Sequence, residues 1–338
     1  MKTWEYIVRR LLLLIPVLLG VTIITFVVSH VIPADPAIAF AGGPKAQPET
    51  IARIRAELHL DEPLIVQYFY YLNDLIHLNL GKSYLENRPV TECISQYFPA
   101  TFELTIFAML IAVPLGIVGG IISAIKRDKS IDHVTRFIAI VGYSLPIFWL
   151  ALMLQYLFAY QIPIFPLEGR LPIGVSPPPS FTGLYILDSL LAGDLVKCGE
   201  AIYHLMMPAF TLGFATLALI LRMTRSSMLE TLGMDYIRTA RAKGLPKRDV
   251  IYKHALRNAL IPTVTVVGLQ FGALLAGAVL TETIFNWPGM GRFAAAAVLA
   301  LDFNSVMGFT IVVAIIYVIA NLIVDLLYGI LDPRVRLE

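Results

Sequence analysis

The chain has 338 residues, 57% of them hydrophobic and 15% charged, where a soluble domain carries about 25% charged residues. Two cysteines exclude a disulfide framework and a cysteine-based metal cluster. The net charge of +2 says little by itself, but the placement of the 26 Lys and Arg residues is uneven and carries the orientation argument below.

In chain order, Met1 to Arg10 is a short basic start. Leu11 to Ile32 is an apolar run of 22 residues, and about 20 suffice to cross a bilayer. Ala37-Ile38-Ala39 resembles a signal cleavage site, but the run exceeds the roughly 7–15 residues of a signal-peptide core, so a retained first span is expected. Residues 33–100 form a polar outer segment. It opens with Pro33, Pro36, Gly42-Gly43 and Pro44. A candidate helix follows from Glu49 to His59, with Ile51, Ile54 and Leu58 on one side. A second, Pro63 to Leu78, carries Tyr68, Phe69, Tyr70 and Tyr71, which suits either a headgroup boundary or packing on the same subunit. Five more spans are expected at about Leu104–Ile125, Phe137–Tyr160, Leu205–Leu221, Val264–Phe285 and Val306–Leu327. The fourth is the shortest and contains Pro208. Backbone groups in lipid must be satisfied within each segment, so the fold class is an all-α membrane protein of six transmembrane helices. The organisation is 1–32 (N-terminus and first span), 33–100 (outer segment) and 101–338 (core), with a loop at 222–262.

With both termini on one side, 18 of the 26 Lys and Arg fall on that side and 8 on the other. By the positive-inside rule both termini are cytoplasmic. Cys93 and Cys198 then both fall in outer segments. A disulfide between them and two unlinked buried thiols are both open.

The most basic stretch is DYIRTARAKGLPKRDVIYKHALRNALIP (235–262). Asp235 suits an N-cap, Tyr236 to Lys243 contain no breaker, Gly244 fits a left-handed position after the helix, and Pro246 prevents simple continuation. Ile237, Ala240 and Gly244 share one small face that a partner's groove could approach, ringed by Arg238, Arg241 and Lys243. A bare basic loop lying on lipid headgroups is the alternative.

Enzymatic readings find no support. The six histidines show no metal-ligand spacing, Gly42-Gly43-Pro44-Lys45 is not followed by the Ser/Thr of a phosphate-binding loop, and no nucleophile elbow is present. If ATP drives this chain, another subunit binds it. Within the spans, Gly142-Tyr143-Ser144-Leu145-Pro146 should kink the third, beside a pathway or for packing alone. Gly116/Gly120 and Gly268/Gly272 are small pairs that permit close helix contact. Gln270 lines a pathway or glues two helices. Glu282 meets a substrate ammonium or salt-bridges Arg292. Asn321 and Asp325 lie toward the inner end of the sixth span, where Asp325 is expected to pair with a basic loop residue or Arg334. The pathway candidates are therefore Tyr143, Ser144, Pro146, Gln270, Glu282 and Asn321.

The basic loop resembles the cytoplasmic loop of binding-protein-dependent ABC importers, patterned E-A-A-x3-G-x9-I-x-L-P. Ala240 stands on the second alanine, Gly244 on the glycine and Leu256 on the leucine. Arg238, His254 and Arg257 replace the Glu, Ile and Pro, as in the dipeptide/oligopeptide branch. RRLLLLIPVLLGVTIITF (9–26), GYSLPIFW (142–149), RMTRSSMLE (222–230), LTETIFNWPGMGR (280–292) and NLIVDLLYGILDPRVR (321–336) extend the resemblance over almost the whole chain. It implies the type I importer permease fold and the B-type subunit of a bacterial inner-membrane system, with related members carrying oligopeptides, glutathione, nickel chelates or oligosaccharides. It also implies a second permease subunit, two cytoplasmic ATPases that hold ATP and Mg, an extracytoplasmic solute-binding protein, and no nucleic acid or cofactor on this chain. Segments 33–100 and 161–204, by their length and side, are the expected docking surfaces for the binding protein. The coupling residues carried over are Asp235, Tyr236, Arg238, Thr239, Ala240, Arg241, Lys243, Gly244 and Leu245. A secondary transporter or channel without an ATPase, expected to show a symmetric repeat or more intramembrane charge, is the rival, and an intramembrane enzyme would need paired catalytic groups at one depth.

Overall fold

Apolar segments that cannot borrow hydrogen bonds from water close them internally, and the chain is built accordingly. The computed structural model describes residues 3–31, 37–38, 46–57 and 59–331. Its helices are α1 (Thr3–Val31), α2 (Pro48–Glu57), α3 (Leu64–Ile76), α4 (Val90–Ile125), α5 (Ser130–Ser144), α6 (Ile147–Gln161), α7 (Tyr185–Leu191) and α8 (Leu195–Leu232). They continue with α9 (Asp235–Ala242), α10 (Lys247–Gly277), α11 (Val279–Ile284), α12 (Met290–Leu299) and α13 (Phe303–Leu331). The last turn of α6 and Val250–Ala255 of α10 widen to π-helix. Among the described residues the sole β contact is an isolated bridge between Lys82 and Pro89. Five helices are long and apolar enough to cross a membrane, and α5 with α6 makes a sixth if the bent pair counts as one span.

The molecule is organised on α8. The apolar window of α8 is 72% buried, against 17% for those of α1 and α13. Its main partner is α4, and glycines let the two backbones approach. A Cβ at Gly116 would sit 2.7 Å from Ile220 Cγ2, and one at Gly120 would sit 2.6 Å from Thr224 Cβ. The same contact runs the other way at Gly213, where a Cβ would sit 2.7 Å from the Ala108 carbonyl oxygen. Gly272 serves α10 against Tyr317 and Ala320 of α13, whereas Gly268 borders an apolar cavity of about 450 Å³ between α4, α10 and α13. The peripheral α1 leaves Leu12, Ile15, Ile24 and Val28 exposed, as a lipid-facing helix should.

Several sequence expectations change. The fourth span, expected to be the shortest, is the longest helix at 38 residues and runs through Pro208 without a break. Pro208 is buried with Met207 and Ala209 beside it, and packing around it lets the helix continue past one missing backbone bond. The second span begins earlier, at Val90, and tolerates Pro99 and Pro114. The third is not one kinked helix but two, bent by 106° across Leu145–Pro146. Leu145 has ψ 129° and Pro146 has ψ 132°, the extended backbone that a residue before proline prefers. The fifth span ends at Gly277 rather than Phe285, and Glu282 belongs to the separate α11. The aromatic face of α3 is divided. Tyr68 and Tyr71 pack on Phe26 of α1, and Tyr68 Oη lies 2.9 Å from Thr22 Oγ1, while Phe69 and Tyr70 stay exposed. Cys93 and Cys198 are both buried and free, so the disulfide is not made. The side chain of Asp325, with Arg334, Pro33, Pro36, Gly42, Gly43, Pro44 and Ala39, lies outside the described residues.

Candidate functional site

The basic loop folds as the sequence suggests at one end and differently at the other. Met234, extended at ψ 152°, is the N-cap of α9, and Asp235 is its first residue. The Asp235 carboxylate is exposed and pairs with Arg238 Nη1 at 3.2 Å instead of capping. It still complements the positive end of the helix dipole. At the other end Gly244 takes φ +76° with open space around it. Gly244 N–H donates to the Arg241 carbonyl and Leu245 N–H to the Ala240 carbonyl, the paired bonds that close a helix on a left-handed residue.

The small face of α9 is turned inward, and this corrects the idea that a partner's groove approaches it. Ile237 and Ala240 are buried among Ile121, Ala124, Met228, Val250, Ile251 and Ala255. They seat α9 on the ends of α4, α8 and α10. Ala240 therefore offers no surface for a partner. Tyr236, Arg238, Thr239, Arg241, Lys243, Gly244 and Leu245 are exposed on the other side. The Tyr236 hydroxyl accepts from Asn258 Nδ2 at 2.7 Å, tying the helix to α10. Next to α9 lies a hollow of about 490 Å³, floored by Ile125, Leu232 and Ile251 and rimmed by Arg241, Leu245 and Lys247. The site is thus a cationic, solvent-facing helix seated on three spans, beside a hollow with an apolar floor and a basic rim.

The pathway candidates do not converge. Tyr143, Ser144 and Pro146 are exposed together at the α5–α6 break, with Arg222 of α8 5.4 Å from the Tyr143 ring centroid. Gln270 is half-buried on α10. Asn321 faces α1, bordering a cavity of about 260 Å³ with Leu13, Leu14 and Val17, and its Oδ1 is buried without a hydrogen bond. Glu282 is fully buried among protein groups in this structure. Its expected salt bridge is absent. Oε1 accepts from Thr101 Oγ1 at 2.6 Å, and Oε2 accepts from the Arg292 backbone N–H at 2.8 Å. Gly289 leaves room for the carboxyl, since a Cβ there would lie 2.3 Å from it. Glu282 is a latch that folds the 285–292 turn back onto α4.

Three further carboxylates with the same character were not singled out from the sequence. Asp302 accepts from Ser83 Oγ at 2.6 Å, the N–H groups of Tyr84 and Leu85, and both N–H and Oγ of Ser305. Asp188 accepts from Thr182 N–H and Oγ1 and from Gly183 N–H. Glu103 accepts from Ile186 N–H and from Arg170 Nη2 at 2.5 Å, with the guanidinium 3.5 Å above the Tyr185 ring. An acid in a span is a visible oddity, but its partner loop is not. At the basic-loop end a fifth buried acid, Asp132, is held by Arg225 of α8. Among the described residues no group of three or more His, Cys, Asp or Glu could hold a metal.

Residues 116–337 match the family model described as binding-protein-dependent transport system inner membrane component. Residues 3–105 match the N-terminal model of the same membrane components. The chain is 51% identical over 331 residues to the dipeptide transport system permease protein DppB of Alkalihalophilus pseudofirmus, covering 98% of this chain and 99% of that protein. It is 48% identical to the probable D,D-dipeptide transport system permease protein DdpB of Escherichia coli, over 99% and 98% of the two chains. It is 45% identical to the Escherichia coli dipeptide transport system permease protein DppB, over 98% of each.

Proposed function

The chain belongs to the binding-protein-dependent transport system inner membrane component family, and on that premise we propose that it translocates dipeptides or short peptides as one of two permease subunits of an ATP-driven importer. It is a multi-pass inner-membrane transport subunit of the type I importer permease fold and not itself an enzyme. Peptide as the cargo is supported by the names of relatives that align end to end. Both termini and α9 are assigned to the cytoplasm because the short basic segments share that side.

The observation that carries the mechanism is the seat of α9. A helix anchored through Ile237 and Ala240 to the ends of three spans cannot be displaced alone. A push on its exposed cationic face is delivered to α4, α8 and α10. Two cytoplasmic ATPases, holding ATP and Mg, would supply that push as they close. The bundle would then alternate between inward and outward openings, and a solute-binding protein would deliver peptide on the opposite side. In the 161–204 segment Ile173 and Phe181 are exposed apolar side chains, and that exposure supports docking of the binding protein there. The Arg170 ion pair in the same segment is structural, so point changes at Ile173 and Phe181 are cleaner probes of docking than a loop deletion.

The test is a detergent pull-down of wild type beside Thr239→Trp, a bulky change on the exposed face of α9. Wild type should bring down an ATPase and the variant should lose it while keeping the partner permease. ATP-dependent dipeptide uptake in proteoliposomes should fall with it. Absence of any ATPase with wild type, under conditions that keep other partners bound, would favour a secondary transporter or channel.

A further inference from the structure

Asp132 is a fully buried acid that the transport reading has not used. Its Oδ1 accepts from Arg225 Nε at 2.7 Å and from Ser123 Oγ at 2.5 Å. Its Oδ2 accepts from Arg225 Nη2 at 2.8 Å and from Asp128 N–H at 3.0 Å. Thr135 Oγ1 donates to Ser123 Oγ at 2.9 Å. Three helices, α4, α5 and α8, meet on this one carboxylate. A bidentate guanidinium fixes orientation as well as distance, and a buried ion pair adds little net stability over an apolar pair of the same shape. Its physical value here is therefore the geometry it imposes.

The position of the clamp gives that geometry a use. Arg225 precedes the end of α8 at Leu232 by seven residues, roughly 10 Å along a helix, and α9 follows directly. Arg222, one turn earlier on α8, reaches Tyr143 at the far end of α5, and Gly142 packs on Ala218 and Phe214 of α8. So α5 is tied to α8 along its length. Beyond the break α6 packs on the other half of α8, where Ala151 meets Met207 on the far side of Pro208, and it is tied there to the opposite end of the molecule. Gln155 Nε2 donates to the carbonyls of Leu167 and Ile284, in the segments that Glu282, Glu103 and Arg170 pin to the opposite end of the molecule. Pro114 in α4 and Pro208 in α8 lie between the two sets of ties, each costing one backbone hydrogen bond.

Resting on the importer reading, we propose that Asp132 and Arg225 are a positioning pair that makes α5 follow α8 when α9 is pushed, with Leu145–Pro146 as the hinge against the fixed α6. The exposed Tyr143 and Ser144 at the break are then displaced by ATPase movement without touching the ATPase.

The experiment uses the complete transporter in nanodiscs, with Cys93 and Cys198 replaced by Ser. Spin labels at Met234 and at Ile140 report α9 and α5, each against a reference label at Leu299. In wild type, ATP should change both distances. In the double variant Asp132→Asn/Arg225→Gln, the Met234–Leu299 change should persist and the Ile140–Leu299 change should shrink to less than half. Peptide transported per ATP hydrolysed should fall about tenfold. Arg225→Lys keeps the charge but not the planar fork, and should give an intermediate loss. The proposal is overturned if the Ile140 label still moves as in wild type, or if uptake and hydrolysis fall in parallel, as a merely structural brace would produce. If ATP leaves the wild-type Met234–Leu299 distance unchanged, the importer mechanism fails and the pair's role falls with it.

Discussion

The two ends of the molecule hold their buried acids by different means. At the end away from the basic loop, Glu282, Asp302 and Asp188 are held by backbone N–H groups and hydroxyls of nearby turns. Glu103 adds a guanidinium that is itself enclosed by Tyr185 and lies near Trp287. At the basic-loop end, Asp132 is held chiefly by one long side chain from another helix. Backbone amides are fixed by the fold they belong to, so four latches of that kind make a frame. A side-chain grip between helices constrains two elements to each other while leaving both free to move together. The contrast fits the proposed coupling, in which the end away from the basic loop is stiff and force enters at the basic-loop end.

The largest effect expected on this contrast is at Asp302. Asp302→Ala removes the acceptor of five donors at a fully buried point, a loss of about 4–5 kcal/mol. It should appear as a lower thermal midpoint in detergent and as new proteolysis within residues 78–90. Arg225→Ala leaves Asp132 charged and unpaired, and should cost about 3–5 kcal/mol in the same melt. Gly289→Ala drives a methyl into the Glu282 carboxyl and should cost roughly 1–3 kcal/mol by overpacking, with the turn at 285–289 the first part to lose hydrogen-exchange protection. The double variant Asp132→Asn/Arg225→Gln should then recover to within about 1 kcal/mol of wild type, although transport does not recover. No equivalent rescue exists at Asp302, because its amide partners cannot be replaced. An Asp302→Asn/Ser83→Ala chain that melted like wild type would erase the distinction between the two ends. Smallest of all, a reducing agent should leave the melting curve unmoved, since Cys93 and Cys198 are unlinked.

Proline shows how unevenly the sequence could be read. Pro208 and Pro146 both stand in apolar runs, and both carry the same local penalty. Pro208 stays helical inside the most enclosed helix. Pro146 sits in a break nearer the periphery, where Phe137, Ile140 and Tyr143 are exposed and the backbone at Leu145 and Pro146 is extended. Glu282 repeats the lesson. Its cost in a span was legible, but its partners, Thr101 and the Arg292 amide, are 181 and 10 residues away. Only the folding back of residues 285–292 brings them together.

The sequence by itself determined what depends on runs and local chemistry. These are the membrane class, the number and order of the spans, the uneven charge, and the short helix closed by Gly244. Hydrophobicity, charge and a left-handed glycine act over a few residues and need no neighbours. Tertiary structure alone decided which face of α9 is buried, which proline breaks a helix, and which acids are latches. Those outcomes depend on packing density and on hydrogen-bond partners from distant segments, and a buried carboxylate is satisfied by whatever donors the fold brings within about 3 Å.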